Sequence, residues 1–287
     1  MMRTRAVGRL LARSLTVLSA LTPALAFAQG AGRVFNPRVS PANPDLIAYE
    51  TLVGDRQELT VQRVSTKETF SAIKTAAVAS GGLVGLPGLS SSTQLSVYSG
   101  DADWRPVISE NRQWFSYIAS ERGTLKLFVN YIQNDGDLSG GEPIALPVNG
   151  GARQARWSPD GKHLAFVSDS SVMFVFWNLD RALRTNNRAQ MVATRIAEPG
   201  VGVLFPAWSP RGNYIAYQAE RSSRGSKRYQ IEVIGVDTLL GSVRGTPVVL
   251  TEDLTDANAF RPSWSADAKY VAYYVDRLGS TGEGAAS

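Results

Sequence analysis

Apolar and polar positions alternate along much of this chain with a period of two, in segments too short for helices. Leu59-Thr60-Val61-Gln62-Arg63-Val64, Leu125-Lys126-Leu127-Phe128-Val129, Val172-Met173-Phe174-Val175-Phe176 and Tyr229-Gln230-Ile231-Glu232-Val233 each predict a strand. A triplet of apolar, small and aromatic residues precedes each one: Ile47-Ala48-Tyr49, Phe115-Ser116-Tyr117, Leu164-Ala165-Phe166 and Ile215-Ala216-Tyr217. A fifth triplet, Val271-Ala272-Tyr273, lies near the C-terminus. Outer strands are predicted at 143–146, 190–196 and 247–251. No segment sustains a helical period, so the chain reads as all-β.

The triplets belong to a repeat. Five segments align on a serine after a bulky apolar residue: Val39-Ser40, Ile108-Ser109, Trp157-Ser158, Trp208-Ser209 and Trp264-Ser265, at intervals of 69, 49, 51 and 56 residues. A proline stands three residues before the serine in four copies (Pro37, Pro106, Pro206, Pro262), and Ala155 in the other. Ser158-Pro159-Asp160-Gly161 and Ser209-Pro210-Arg211-Gly212 fit tight type I turns. Strand, turn and strand make a hairpin. With a third and a fourth strand, the last copies match a four-stranded propeller blade of roughly 40–50 residues. Strands covered on both faces read as mostly apolar, with small residues where sheets approach closely near the axis.

Phe260-Arg261-Pro262-Ser263-Trp264-Ser265, residues 157–166, and Leu250-Thr251 leading into the next copy resemble the repeat of the TolB-type β-propeller family. Those proteins are periplasmic components of the Tol-Pal envelope system. The resemblance spans roughly residues 34–275 and is specific for the propeller type, which hosts many functions. It implies a protein or peptide partner. This chain departs from the family pattern twice. The family carries an α/β domain ahead of its propeller, and here the first copy begins a few residues after position 28. The family's propeller has six blades, whereas this sequence holds four complete copies and the inner hairpin of a fifth. The expected architecture is four complete blades plus a partial fifth, an open arc or a fragment of a six-bladed ring, with 271–275 at an exposed edge.

The N-terminus changes the reading of charge. Arg3, Arg5, Arg9 and Arg13 precede an apolar stretch from Leu15 to Leu25 and an Ala26-Phe27-Ala28 cleavage pattern, as in a secretory signal peptide. That stretch is too short to span a bilayer in the mature protein. The chain divides into a signal peptide at 1–28, a propeller at 29–275 and a C-terminal tail at 276–287. The whole sequence has 30 basic and 25 acidic residues, a net charge of +5. Removing the signal takes four arginines and leaves a nearly neutral chain, which argues against a nucleic-acid partner. There is no cysteine. Disulfides, thiolate metal sites, a cysteine nucleophile and a lipid-anchored cysteine are thereby excluded. Arg3 and Arg5 are not adjacent, so the twin-arginine pattern is absent and the general export route to the periplasm is expected.

Each candidate for chemistry has a structural competitor. Trp104, Trp157, Trp208 and Trp264 fall at one place in their repeats, as inter-blade packing requires. His163, the sole histidine, starts a second strand and has no G-x-S-x-G elbow to serve; a half-exposed ring is expected. Asn134-Asp135-Gly136-Asp137 is short of calcium ligands and reads as a hairpin turn. Residues 71–92, rich in Ala, Gly and Ser, lack the ending of a phosphate loop. Arg38, Arg105, Arg156 and Arg261 stand two or four residues before the repeat serine, on one side of an extended strand. They are the candidate partner-binding residues, a basic mouth at the central channel; the competing reading is scattered surface arginine. No catalytic residue, metal site or cofactor is expected. The reading is a non-enzymatic periplasmic propeller that binds a protein or peptide. The alternative is the propeller portion of a prolyl-oligopeptidase-like serine peptidase whose catalytic domain lies elsewhere.

Overall fold

The computed structural model describes residues 33–277 except 54–55, 72–96, 122–123, 136–137, 197–200, 224–225 and 255. Residues 1–32, which include the expected signal peptide, most of the 71–92 segment and residues 278–287 lie outside the described residues.

Among the described residues eighteen strands form five consecutive blades. Blade 1 holds β1 (Arg33–Val39), β2 (Leu46–Val53), β3 (Arg56–Arg63) and β4 (Thr69–Ser71). Blade 2 holds β5 (Val97–Ser109), β6 (Arg112–Glu121), β7 (Thr124–Gln133) and β8 (Ile144–Ala145). Blade 3 holds β9 (Ala152–Trp157), β10 (Leu164–Ser168), β11 (Met173–Phe176) and β12 (Ala193–Arg195). Blade 4 holds β13 (Gly202–Trp208), β14 (Tyr214–Ser223), β15 (Ser226–Asp237) and β16 (Ser242–Val249), and blade 5 holds β17 (Ala257–Trp264) and β18 (Val271–Arg277). Every blade runs antiparallel in sequence order, and one parallel contact, Arg56 with Val97 and Gln57 with Tyr98, joins blades 1 and 2. Blades 3, 4 and 5 each pack on the one before, and among the described residues no comparable contact joins blade 5 to blade 1, so these strands form an arc rather than a closed ring.

Register explains the repeat. The small residue of each triplet lies opposite a valine of the third strand: Ala48 with Val61, Ser116 with Val129, Ala165 with Val175, Ala216 with Val233. All four small residues are buried beneath the following blade. The core is therefore a series of inter-blade layers. Ala48, Leu59 and Val61 meet Phe115 and Tyr117; Ile118, Leu127 and Val129 meet Leu164, Phe166 and Phe176; Ala165, Met173 and Val175 meet Ile215, Tyr217 and Ile234.

The repeat serine closes its hairpin twice over. Its carbonyl accepts the N–H of Gly161 in blade 3 and of Gly212 in blade 4. Both glycines have φ near +70°, where a side chain would be strained. The serine hydroxyl accepts the N–H five residues on, from His163, Tyr214 and Tyr270. Blade 2 departs from this scheme. Its hairpin turns on Glu110-Asn111, both at positive φ as a type I′ turn requires. Trp104 pairs with Phe115 as Trp157 pairs with Leu164, so aligning blade 2 on Ser109 is four residues out. β5 absorbs the difference as irregularities at Gly100–Asp103 and Trp104–Ile108.

A short α-helix, α1 (Leu179–Arg184), follows β11 and buries Leu179, Ala182 and Leu183 between blades 2 and 3. Six residues cannot display a helical period, which is why the sequence pattern missed it.

Candidate binding cavity

The inner strands β1, β5, β9, β13 and β17 share one distortion. Asn36, Asp101, Gln154, Phe205 and Arg261 each have φ between 50° and 54°, and each lies three residues before the repeat tryptophan or, in blade 1, before Val39. The strand pairing slips at every one of these positions. These are β-bulges, and a non-glycine residue held there costs on the order of 1–3 kcal/mol.

The bulges of blades 2 to 5 are each held by the preceding blade. Asp101 N–H donates to Glu50 Oε1 at 2.8 Å, and Gln154 N–H to Asp101 Oδ2 at 2.5 Å. Phe205 N–H donates to Gln154 Oε1 at 2.6 Å, and Arg261 N–H to Gln218 Oε1 at 3.4 Å. The tryptophans add a second tie. Indole Nε1 of Trp104 donates to Arg38 O, that of Trp208 to Arg156 O and that of Trp264 to Ala207 O, at 2.8, 3.0 and 3.0 Å. Trp157 Nε1 is buried without a partner, while its backbone N–H donates to Asp103 Oδ2 at 2.8 Å.

The bulges turn side chains toward the axis, where residues from all five blades line a cavity of about 900 Å³. Its lining carries charge of both signs, and Arg153 and Asp169 of blade 3 add one of each. Glu50, Asp101 and Asp103 come from blades 1 and 2; Arg156 and Arg261 come from blades 3 and 5, with Arg38 on blade 1. Arg156 Nη1 meets Asp101 Oδ1 at 3.1 Å. Burial pushes the Glu50 carboxyl up to about 7, partly countered by the Asp101 N–H. Asp103 is also raised by burial, against the pull of Arg156. Burial works to lower the Arg156 pKa, yet Asp101 and Asp103 together leave it raised. The Arg261 guanidinium lies 4.9 Å from the Phe205 ring centre. Among the described residues neither Arg38 nor Arg261 is ion-paired with a carboxylate.

Of the four arginines singled out in the sequence, Arg38, Arg156 and Arg261 line this cavity and Arg105 does not. Arg105 is 3% exposed at the boundary of blades 2 and 3. Its guanidinium donates to Gly161 O, Ser109 Oγ and Asp180 Oδ2 at 2.7, 2.7 and 3.2 Å. The four-residue slip of blade 2 is the reason: the residue equivalent to Arg156 is Asp103, and Arg105 takes the place of the serine. The mouth is consequently mixed in charge rather than basic. Glu50, Asp101, Asp103, Gln154 and Phe205 escaped the sequence reading. A count from the tryptophan instead of the serine would have found four of them.

His163 is 1% exposed, not half-exposed as its sequence position suggested. Its ring packs 5.3 Å from Trp177 and 6.3 Å from Trp208, and Nδ1 accepts the Asn178 N–H at 3.0 Å. Burial lowers its pKa. Asn134 Oδ1 accepts from Asn43 Nδ2 at 2.7 Å, a tie between blades 1 and 2. No cluster of metal-ligating side chains occurs among the described residues, and no helix among them is long and apolar enough to cross a membrane.

Four-stranded antiparallel blades stacked through tryptophan ties around a central cavity define a β-propeller. Its strand arrangement is of the TolB type. It matches TolB from Acinetobacter baumannii with a TM-score of 0.51 and 16% identity, over 86% of this chain and 55% of that one. It matches the protein assigned as TolB in Agrobacterium tumefaciens with a TM-score of 0.55 and 14% identity, over 87% of this chain and 72% of that one. The chain thus spans about half the length of the first. At these identities the likeness is one of fold. No family model and no curated protein sequence matches the chain.

Proposed function

We propose that this protein is a non-enzymatic, periplasmic propeller that binds a protein or peptide partner in its central cavity. One observation carries the reading: Arg38 and Arg261 line an open cavity of about 900 Å³ without carboxylate partners, facing the acidic Glu50, Asp101 and Asp103. A volume of that order takes several side chains of an extended segment. Separated charges of both signs suit a ligand that carries both, which a polypeptide does. Arg156 is held by its contact with Asp101. The TolB-type resemblance supplies the partner class and, with the signal-like N-terminus, the compartment.

The test is a paired charge reversal, Arg38→Glu with Arg261→Glu, at two exposed side chains whose loss leaves the fold intact. The wild-type chain is expected to retain a partner from a periplasmic extract that the variant does not, at equal melting temperature. The difference should widen at low ionic strength, where exposed charges are least screened. Equal retention by both proteins would refute the cavity as the binding site. N-terminal mass spectrometry of the exported protein checks the compartment: mature chains beginning at Gln29 are expected, and an intact Met1 form confined to the cytoplasm contradicts it.

A further inference from the structure

The turn between β15 and β16 of blade 4 presents two leucines to solvent. Leu239 is 93% exposed and Leu240 79%. The turn itself is well held. Asp237 Oδ1 accepts the N–H of both leucines, each at 3.0 Å, and Asp237 O accepts that of Gly241 at 2.8 Å. Asp237 Oδ2 accepts from Arg244 Nε across the hairpin at 3.2 Å. Gly241 has φ of 64° and packs on blade 3, where an added Cβ would lie 3.1 Å from Trp177 Cγ. Both apolar side chains are thus held outward by a turn that is already ordered, which lowers the cost of burying them against something else.

The surroundings of the tip are basic. In an antiparallel blade the turn after the first strand and the turn after the third lie at the same end. Val236 N–H donates to Asn213 O at 3.0 Å, which sets Arg211 of the preceding turn beside the tip. On blade 3, Asp180 N–H donates to Lys162 O at 3.3 Å, which sets Lys162 beside α1. Across these four turns, residues 158–163, 177–192, 209–213 and 237–244, stand six basic residues and three acids, an excess of three positive charges. Lys162, Arg181, Arg184, Arg188, Arg211 and Arg244 are all exposed. The three acids are already engaged: Asp160 with Ser158 Oγ and the Lys162 N–H, Asp180 with Arg105 and Arg184, Asp237 with Arg244. Among the described residues Lys162, Arg181, Arg188 and Arg211 pair with no carboxylate.

We propose that this end of blades 3 and 4 docks on an anionic lipid surface, with Leu239 and Leu240 entering the apolar layer and the surrounding cations lying on the headgroups. A protein interface is carried by a broad patch with aromatic anchors at its centre. Here the apolar part is two aliphatic side chains on a narrow tip ringed by cations, the make-up of an interfacial lipid anchor. Long arginine and lysine side chains reach headgroups at the depth where the leucines are buried. Each cation near an anionic surface adds attraction, and the four without a carboxylate partner break no ion pair on docking. The surface is separate from the central cavity, and the proposal is independent of what the cavity binds.

The probe is a vesicle of equal parts phosphatidylglycerol and phosphatidylcholine, beside one of phosphatidylcholine alone. The chain is used from Gln29, which keeps every described residue and removes an arginine-rich apolar segment that would bind lipid by itself. Because the sequence has no cysteine, Leu240→Cys gives one site for an apolar, environment-sensitive dye. Its emission is expected to shift to the blue on the anionic vesicles and not on the neutral ones. The same dye at Ser170→Cys, on the β10–β11 turn at the opposite end, is expected to stay unshifted. Leu239→Ser with Leu240→Ser should weaken co-sedimentation with the anionic vesicles at least tenfold, as should Arg181→Glu with Arg211→Glu, at unchanged melting temperature. Added salt should weaken it too. Absence of vesicle binding overturns the proposal, and so does binding that survives the leucine change, which is general charge attraction. A blue-shifted dye before any vesicle is added would mean that the chain covers its own tip, and overturns it. Capture of a periplasmic protein through the leucines, without vesicle binding, makes the tip a protein dock and overturns it as well.

Discussion

Glu50 sits against Gly100, where an added Cβ would lie 2.7 Å from the carboxyl carbon, and accepts from Asn36 Nδ2, Gln57 Nε2 and Asp101 N–H. Its pKa of about 7 in the fold stands above the ordinary 4.5 of an exposed glutamate. Between those values the folded chain holds a proton that the unfolded chain lacks. Stability from this group is therefore full below about pH 4.5, falls as pH rises to about 7, and stays lower above by on the order of 3 kcal/mol. Glu50→Gln should flatten this part of the slope and stabilise the protein at pH 8. Asp103 contributes a slope of the same sign, so the measure is the difference between wild type and variant in urea melts at pH 5 and pH 8. Identical pH dependence would contradict the assignment. His163→Ala has a cost the sequence did not suggest. It empties space between Trp177 and Trp208 and orphans the Asn178 N–H, for a loss of roughly 2–4 kcal/mol in the same melts. Trp208→Ala loses a buried ring and its tie to Arg156 O, and should cost about 3–5 kcal/mol.

At the scale of the strand, the alternation, the triplets and the turns were legible because each follows from local chemistry. Register was not. A bulge adds a residue without disturbing the apolar pattern around it, so β5 reads as one strand while its partners slip twice. Pro106, three residues before Ser109, reinforced the wrong alignment by mimicking Pro37, Pro206 and Pro262. That single slip placed Arg105 at the mouth and hid Asp103 there. The side chains that cap the bulges were equally invisible, since their acceptor and donor lie 43 to 53 residues apart. Gln154→Ala removes the acceptor of Phe205 N–H and should cost about 1–3 kcal/mol, read by denaturant melts. Gln154→Glu keeps an acceptor and should recover much of the loss; equal destabilisation by both changes would show that the cap is immaterial.

Across the whole molecule, blade 3 is enclosed by neighbours on both faces and blade 5 by one. Every residue of β10 is buried, whereas Ala272 and Tyr274 through Arg277 of β18 are exposed. Hydrogen exchange is expected to run faster in β18 than in β10, because local opening there uncovers less apolar surface. Comparable protection would mean that the fifth blade is covered in solution. The inner hairpin of the fifth copy was legible in the sequence because its tryptophan, serine and triplet repeat those of the earlier blades.

The caps and indole ties all point one way along the chain: the later blade donates the N–H and the earlier blade supplies the oxygen. A polypeptide emerging N-terminus first therefore never presents a bulge donor before its acceptor has folded, and the arc can be laid down blade upon blade during synthesis. Shortening it from the two ends is accordingly unequal. Without blade 5, the acceptors Gln218 Oε1 and Ala207 O fall idle and a single backbone donor, Tyr229 N–H, loses Asn258 Oδ1. Without blade 1, the Asp101 N–H and the Trp104 indole lose their acceptors and the layer of Trp104, Phe115 and Tyr117 is laid open to water, the larger loss.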